Sequence, residues 1–292
     1  MASDRAPGAS RIGVFDSGVG GLSVWREIAR QLPHCDTLYV ADQAHVPYGP
    51  RPLEEVRRFS EGITRFLLDE GAEVVVLACN TASAAALHHL RALFPQVPFV
   101  GMEPAVKPAV QNTHTGVVGV IATPATFQGR LFASLLERFA RDTRVLTQVC
   151  PGLVEAVEAG ALDTPETEAL LRSCMQPLLA AGIDQLVLGC THYPFLQPLI
   201  ERVVGPGVQI VDPAPAVARQ VGRVLASLPR RPLPENVTTD LPGRTGEHIF
   251  YTTGSLPAFV AALERLVGIR GQARGLAWAG DRLIPRAGSY ST

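Results

Sequence analysis

Residues 186–196 read LVLGCTHYPFL, an apolar run that stops on cysteine, threonine and histidine and then meets a proline. Residues 74–84, VVVLACNTASA, repeat the form: aliphatic residues ending in cysteine, asparagine and threonine ahead of an alanine-rich stretch. Unbroken apolar runs of this kind, rather than alternating ones, are how strands read when helices cover both faces of a parallel sheet. Further runs follow the same rule: RIGVF from 11, TLYVA from 37, VPFVG from 97, GVVGVIA from 116, RVLTQV from 144, VQIVD from 208 and HIFYT from 248. Between the runs, apolar residues recur at helical spacing over 20–32, 52–70, 82–94, 125–141, 165–181, 194–204, 214–227 and 255–267. Strand and helix in alternation predict βαβ units, so the expected fold class is α/β with mostly parallel sheets flanked by helices.

The chain also repeats itself loosely. IGVFDSG from 12 resembles VGVIATP from 118, and VVLACNT from 75 resembles LVLGCTH from 186, at similar offsets. Two similar α/β domains of about 110 residues each account for this, with Cys79 and Cys190 at equivalent positions facing a cleft between them. Expected boundaries are 1–102 plus 213–270 for the first domain, 103–212 for the second, and 271–292 for a tail without clear period. A Pro-rich link from 231 leads back into the first domain.

Composition narrows the function. The 292 residues are 47% hydrophobic, ample for a packed core. A net charge of −1 with 18% charged residues offers no basic stripe for nucleic acid. The opening MASDRAPGAS has no apolar secretory region and no run is long enough to span a membrane, so the cytoplasm is the expected location, with no membrane partner. Five cysteines are an odd number for a disulfide framework, which predicts reduced thiols. Lys107 is the single lysine.

In α/β folds ligands sit beyond the carboxyl ends of the strands, so the loops there carry the candidates. Asn80 or Thr81 could cap a helix from Ala82, and Pro194 suits the first turn after Cys190. A thiol at a helix N-terminus feels positive charge, which predicts a pKa lowered towards neutrality and a cysteine able to act as a base. The bland alternative is a small buried hydrophobe, and two matched strand ends with polar triplets argue against it. Metal is not expected: Cys79, Cys190 and His192 are soft ligands, but a structural zinc site wants four and a catalytic one three plus water, and the spacing is wrong for a finger. In VFDSGVGGLS from 14, Asp16 and Ser17 end the first strand and the glycines permit close approach of a ligand, without a nucleotide fingerprint. HVPYGPRP from 45 offers Tyr48 and the bare amide of Gly49, with a packed turn as the alternative. Thr123 and Thr126 stand where a helix begins and an anion can be held, or where they merely cap. His192 is placed to polarise Cys190. Spacing alone makes Glu158 no more than a surface charge on a short helical stretch.

Taken together, VFDSGVGGLSV, PYG, VVLACNTASA, GMEPAVKPA, GVIATPATFQ, CPGLVEAVEAG and LVLGCTHYPFL, in this order from about 11 to 267, resemble the glutamate racemase family. ACNTA and GCTHYP alone would point only to the wider aspartate/glutamate racemase group. The resemblance implies two similar α/β domains with the active site between them and cofactor-free interconversion of L- and D-glutamate, the D-isomer feeding peptidoglycan synthesis. It places the catalytic cysteines at Cys79 and Cys190, assisted by Asp16 and by His192 with Glu158. Substrate contacts fall on Asp16, Ser17, Tyr48, Gly49, Asn80, Thr81, Thr123, Thr126, Thr191 and His192. It further implies that Cys79 works with the D-isomer and Cys190 with the L-isomer. The chain departs from the family pattern at His45, Met102 and Glu155, all flanking positions.

Independently of the resemblance, inverting an α-carbon requires an acid on one face and a base on the other, which two opposed thiols supply. Pyridoxal phosphate would need a Schiff-base lysine, and a lone Lys107 between alanine, valine and proline residues argues for no cofactor. Rival readings are an aspartate or other amino-acid racemase, whose aspartate members more often place glutamate where this chain has His192, and a binding module that keeps the cleft without chemistry. The sequence is compatible with a homodimer and contains nothing that sets oligomeric state.

Overall fold

The structure is a computed structural model and describes residues 10–128, 130–229, 245–270 and 273–290, with no side-chain description for 130 and 287–290. The polar N-terminal stretch up to residue 9 and most of the Pro-rich link lie outside the described residues. In chain order the elements are β1 (Arg11–Asp16), α1 (Leu22–Gln31), β2 (Asp36–Ala41), α2 (Leu53–Asp69), β3 (Val74–Leu77), α3 (Asn80–Leu93) and β4 (Phe99–Val100). There follow α4 (Val106–Asn112), β5 (Val117–Ala122), α5 (Pro124–Gln128), α6 (Arg130–Phe139), β6 (Arg144–Val149), α7 (Leu153–Ala159), α8 (Pro165–Ala180) and β7 (Gln185–Gly189). After a 3₁₀ turn at Tyr193–Leu196 come α9 (Gln197–Val204), β8 (Gln209–Val211), α10 (Ala214–Ser227), β9 (His248–Thr252), α11 (Leu256–Val267), β10 (Ala273–Ala279) and β11 (Arg282–Tyr290).

The strands form two sheets. One runs β11-β10-β9-β2-β1-β3-β4 and the other β6-β5-β7-β8. Every pairing is parallel except β10 with β11. The α/β expectation therefore holds, and its cause is visible in the central strands: every residue of β1, β2, β3 and β7 is buried. In the larger sheet α1 packs with α10 and α11, while α2 packs with α3. Each branched side chain so covered contributes about 1.5–3 kcal/mol relative to exposure. No helix among the described residues is long and apolar enough to cross a membrane.

Two expectations are corrected. The segment after residue 271 is not a plain tail: β10 pairs parallel with β9, and β11 folds back on β10 as an antiparallel hairpin. Its strands escaped the sequence reading because ARGLAWA is partly polar and RLIPRAGSY carries proline and glycine, as edge strands do. Nor are all cysteines reduced. Cys150, just past β6, is bonded to Cys174 on α8, with Cα atoms 5.6 Å apart, a separation suited to a disulfide. Cys79 and Cys190 carry free thiols, and these two and Cys35 are buried.

Candidate active site

Strand register brings the candidate loops together. Asp16 closes β1 opposite Ala41 of β2, and Phe15 pairs with Leu77 of β3, so Cys79 emerges beside Asp16 and Ser17. In the other sheet Ala122 of β5 pairs with Gly189 of β7, so Thr123 and Cys190 leave neighbouring strands side by side. The two sets of loops enclose one cleft with about 290 Å³ of non-protein space, its mouth included. Ser17, Tyr48, Gly49, Cys79, Asn80, Thr81, Thr123, Cys190, Thr191 and His192 all line it. Pro47, Val154 and Gly189 line it too, and none of the three has a side chain that sequence reading marks as reactive. Asp16, Glu158 and Thr126 sit behind this surface.

On the side of the larger sheet, Cys79 is itself the N-cap of α3: its Sγ accepts the Ala82 N–H at 3.4 Å. The helix begins two residues earlier than expected, and Asn80 and Thr81 are released from capping to face the cleft. The expected lowering of the thiol pKa is corrected as well. Burial pushes the Cys79 thiol well above its ordinary value, the negative charge of Asp16 adds to this, and the Ala82 N–H only partly opposes it. Burial also raises Asp16, against the pull of His192 and of the Gly21 N–H, whose bond to Oδ2 is 2.9 Å long. Cys79 thus keeps its proton, and its Sγ lies 4.0 Å from Ser17 Oγ.

On the other side, His192 Nδ1 lies 3.7 Å from Cys190 Sγ and Nε2 lies 2.8 Å from Glu158 Oε1. Burial disfavours charge on this ring, but the hydrogen bonds to Cys190 and Glu158 outweigh it and hold its pKa well above the ordinary histidine value. An imidazolium results, with both N–H groups as donors: Nε2–H to the carboxylate and Nδ1–H to the sulfur. Glu158 is no surface charge. Burial works against its ionisation, but His192, the Val19 N–H at 2.7 Å and the Gln43 amide at 2.9 Å bring its pKa below the ordinary value. Val19 and Gln43 belong to loops of the larger sheet and Glu158 to α7, so this carboxylate joins the two halves.

The glycine-rich loop approaches protein rather than a nucleotide. A Cβ on Gly18 would collide with Glu158, and one on Gly20 with the His192 ring. Opposite, a hydroxyl chain runs from Thr81 to Thr123 (2.9 Å) and on to Thr126 (3.0 Å), so Thr126 touches the cleft only through Thr123. The Asn80 amide is buried, and neither its nitrogen nor its oxygen has a hydrogen-bond partner. An orphaned buried amide costs about 1–3 kcal/mol, so its place in the cleft wall marks a position where a polar ligand supplies the missing bonds. Among the described residues no lysine or arginine lines the cleft and no group of His, Cys, Asp and Glu could hold a metal ion. Gln43, which steadies Glu158, was not among the sequence candidates; a lone glutamine in a loop gives no signal until the fold places it.

The pairing of parallel sheets around a cleft with one thiol from each half is that of an amino-acid racemase, an isomerase. The family model described as Asp/Glu/hydantoin racemase matches residues 12–221, and the chain belongs to that family. A glutamate racemase of Ectopseudomonas mendocina is 56% identical over 225 residues, which is 77% of this chain and 84% of that protein. Among solved structures, a glutamate racemase isoform from Bacillus anthracis superposes with a TM-score of 0.81 at 34% identity, covering 94% of this chain and 99% of that one. The Escherichia coli glutamate racemase, in complex with L-glutamate and the activator UDP-MurNAc-ala, gives a TM-score of 0.79 at 30% identity, covering 93% of this chain and 100% of that one.

Proposed function

We propose that this chain is a cofactor-independent glutamate racemase that inverts the α-carbon by proton transfer between Cys79 and Cys190. The observation that carries this is the asymmetry of the two thiols around one cleft: Cys79 is protonated by its environment, while Cys190 faces an imidazolium N–H. For L-glutamate, the Cys190 thiolate takes the α-proton and Cys79 delivers its own proton to the opposite face, leaving D-glutamate and an exchanged pair of protonation states. The reverse reaction begins from that exchanged state. Asp16 receives or returns the Cys79 proton, and the His192 imidazolium, held by Glu158, directs its Nδ1–H at Cys190 and so stabilises the thiolate form of that sulfur. The substrate carboxylates are held by Ser17, Thr81, Thr123, Thr191 and the orphaned amide of Asn80, with Tyr48 and Gly49 closing one wall. No Schiff base is needed: Lys107 is exposed on α4, its ammonium 5.4 Å from the centre of the Phe139 ring, and not on the cleft wall. The product would serve peptidoglycan synthesis in the cytoplasm, in keeping with the relatives' activity.

The test is substitution of each sulfur. Cys79→Ser and Cys190→Ser are each expected to lower two-way racemisation by about 10²–10⁴-fold or more, with circular dichroism unchanged and with solvent deuterium at the α-carbon of wild-type product. Near-wild-type turnover by either variant would sink the two-thiol mechanism. L-aspartate assayed beside L-glutamate separates the substrate reading from its nearest rival.

A further inference from the structure

The C-terminal hairpin reaches towards the cleft through one side chain. Trp278 on β10 donates its indole N–H to Asp42 Oδ1 at 2.8 Å. The other oxygen of that carboxylate, Oδ2, accepts the Tyr48 hydroxyl at 2.7 Å and faces His45 Nδ1 at 2.9 Å. Asp42 is fully buried and immediately follows β2, and Thr253, beyond β9, adds a hydroxyl to Oδ1 at 2.8 Å. The ring of Trp278 packs near Phe59 at 5.7 Å and His45 at 5.4 Å, and His45 in turn stacks on Phe59 at 3.8 Å. Tyr48 is the wall of the cleft at this point, and Gly49 beside it lies against Thr123. A displaced Asp42 therefore displaces Tyr48.

We propose that Trp278 is a positioning residue for the substrate: through Asp42 it fixes the Tyr48–Gly49 wall of the cleft. This is why β10 and β11 are part of the working enzyme, although they lie past the last motif of the sequence. A charge-assisted hydrogen bond is geometrically demanding, so losing the indole N–H lets the carboxylate turn and the tyrosine follow. Tyr48 belongs to the cleft wall and has no part in the proposed proton transfers, so the loss is expected to fall on binding rather than on those transfers.

Trp278→Phe keeps an aromatic ring and removes the donor. It is expected to raise KM for glutamate about fivefold, equivalent to one hydrogen bond, with kcat within about twofold. A KM equal to that of the parent, or a fall confined to kcat, overturns the proposal. A purely structural role would lower Tm without that split. The KM readout rests on the reading of the chain as a glutamate racemase, and a substrate-free measurement separates the two. Alkylation of Cys79 by iodoacetamide, followed by peptide mass spectrometry, is expected to run at least threefold faster in Trp278→Phe than in the parent, whatever the parent turns over. An unchanged rate overturns the positioning role even if the parent racemises glutamate; a parent without racemase activity but with the accelerated alkylation refutes the function alone.

Discussion

At the residue scale, the chemistry of the site rests on who holds the charge of His192. Its raised pKa comes from Cys190 and Glu158 against burial, and Glu158→Gln removes the carboxylate while keeping the shape. The ring then loses its proton at a lower pH, so the alkaline limb of the racemisation profile is expected to move to lower pH in Glu158→Gln; a limb that stays in place would show that the carboxylate does not govern the ring. Stability follows the same pair with opposite signs at its two ends. His192, raised from 6.5, stabilises fully below that value and loses the contribution as pH climbs through the native pKa. Glu158, lowered from 4.5, stabilises fully above that value and loses the contribution as pH falls through the native one. The difference in Tm between wild type and Glu158→Gln should therefore be widest between 4.5 and 6.5 and narrow on either side. Residues with motif neighbours were legible in the sequence: Cys79, Cys190 and His192 announce themselves by ending apolar runs. Asp42, Gln43 and the orphaned state of Asn80 were not, because their meaning lies in partners more than a hundred residues away or in the lack of any.

At the element scale, the loop between β1 and α1 shows how backbone shape sets side-chain position. Gly20 leaves no room for a Cβ beside the His192 ring. Gly20→Ala should cost about 1–3 kcal/mol through overpacking and, by pushing the imidazole away from Cys190, lower kcat by about 10²-fold. Thermal melting and steady-state kinetics on the same preparation check both, and wild-type kcat would show that the ring has freedom to move. The central apolar strands were readable because helices cover both their faces, and the helices because their apolar residues recur at helical spacing. The C-terminal hairpin lacks a clean period, so its assignment depends on tertiary neighbours rather than on local pattern. The start of α3 was misplaced for a related reason: capping statistics favour asparagine and threonine, whereas here a cysteine sulfur takes that place.

At the scale of the whole molecule, the chain leaves the larger sheet after β4, builds the smaller one, and returns through α10 to add β9, β10 and β11. The internal repeat hinted at two halves, and the sheets bear out the α/β architecture; the oxidation state of the cysteines was beyond a reading by number and spacing. With Cys150 and Cys174 joined, a denatured, unreduced sample should titrate fewer thiols with Ellman's reagent than the five found after reduction, and five in both would contradict the bond. The carboxylate of Glu158 has a wider reach. It fastens α7 to Val19 and Gln43 across the cleft and, with the same oxygens, keeps His192 charged. Any parting of the halves that breaks the first two bonds alters the field felt by the imidazole, and by reciprocity a change in the ring's proton occupancy alters how firmly the halves hold together. Aperture and proton affinity are thus two readings of a single equilibrium.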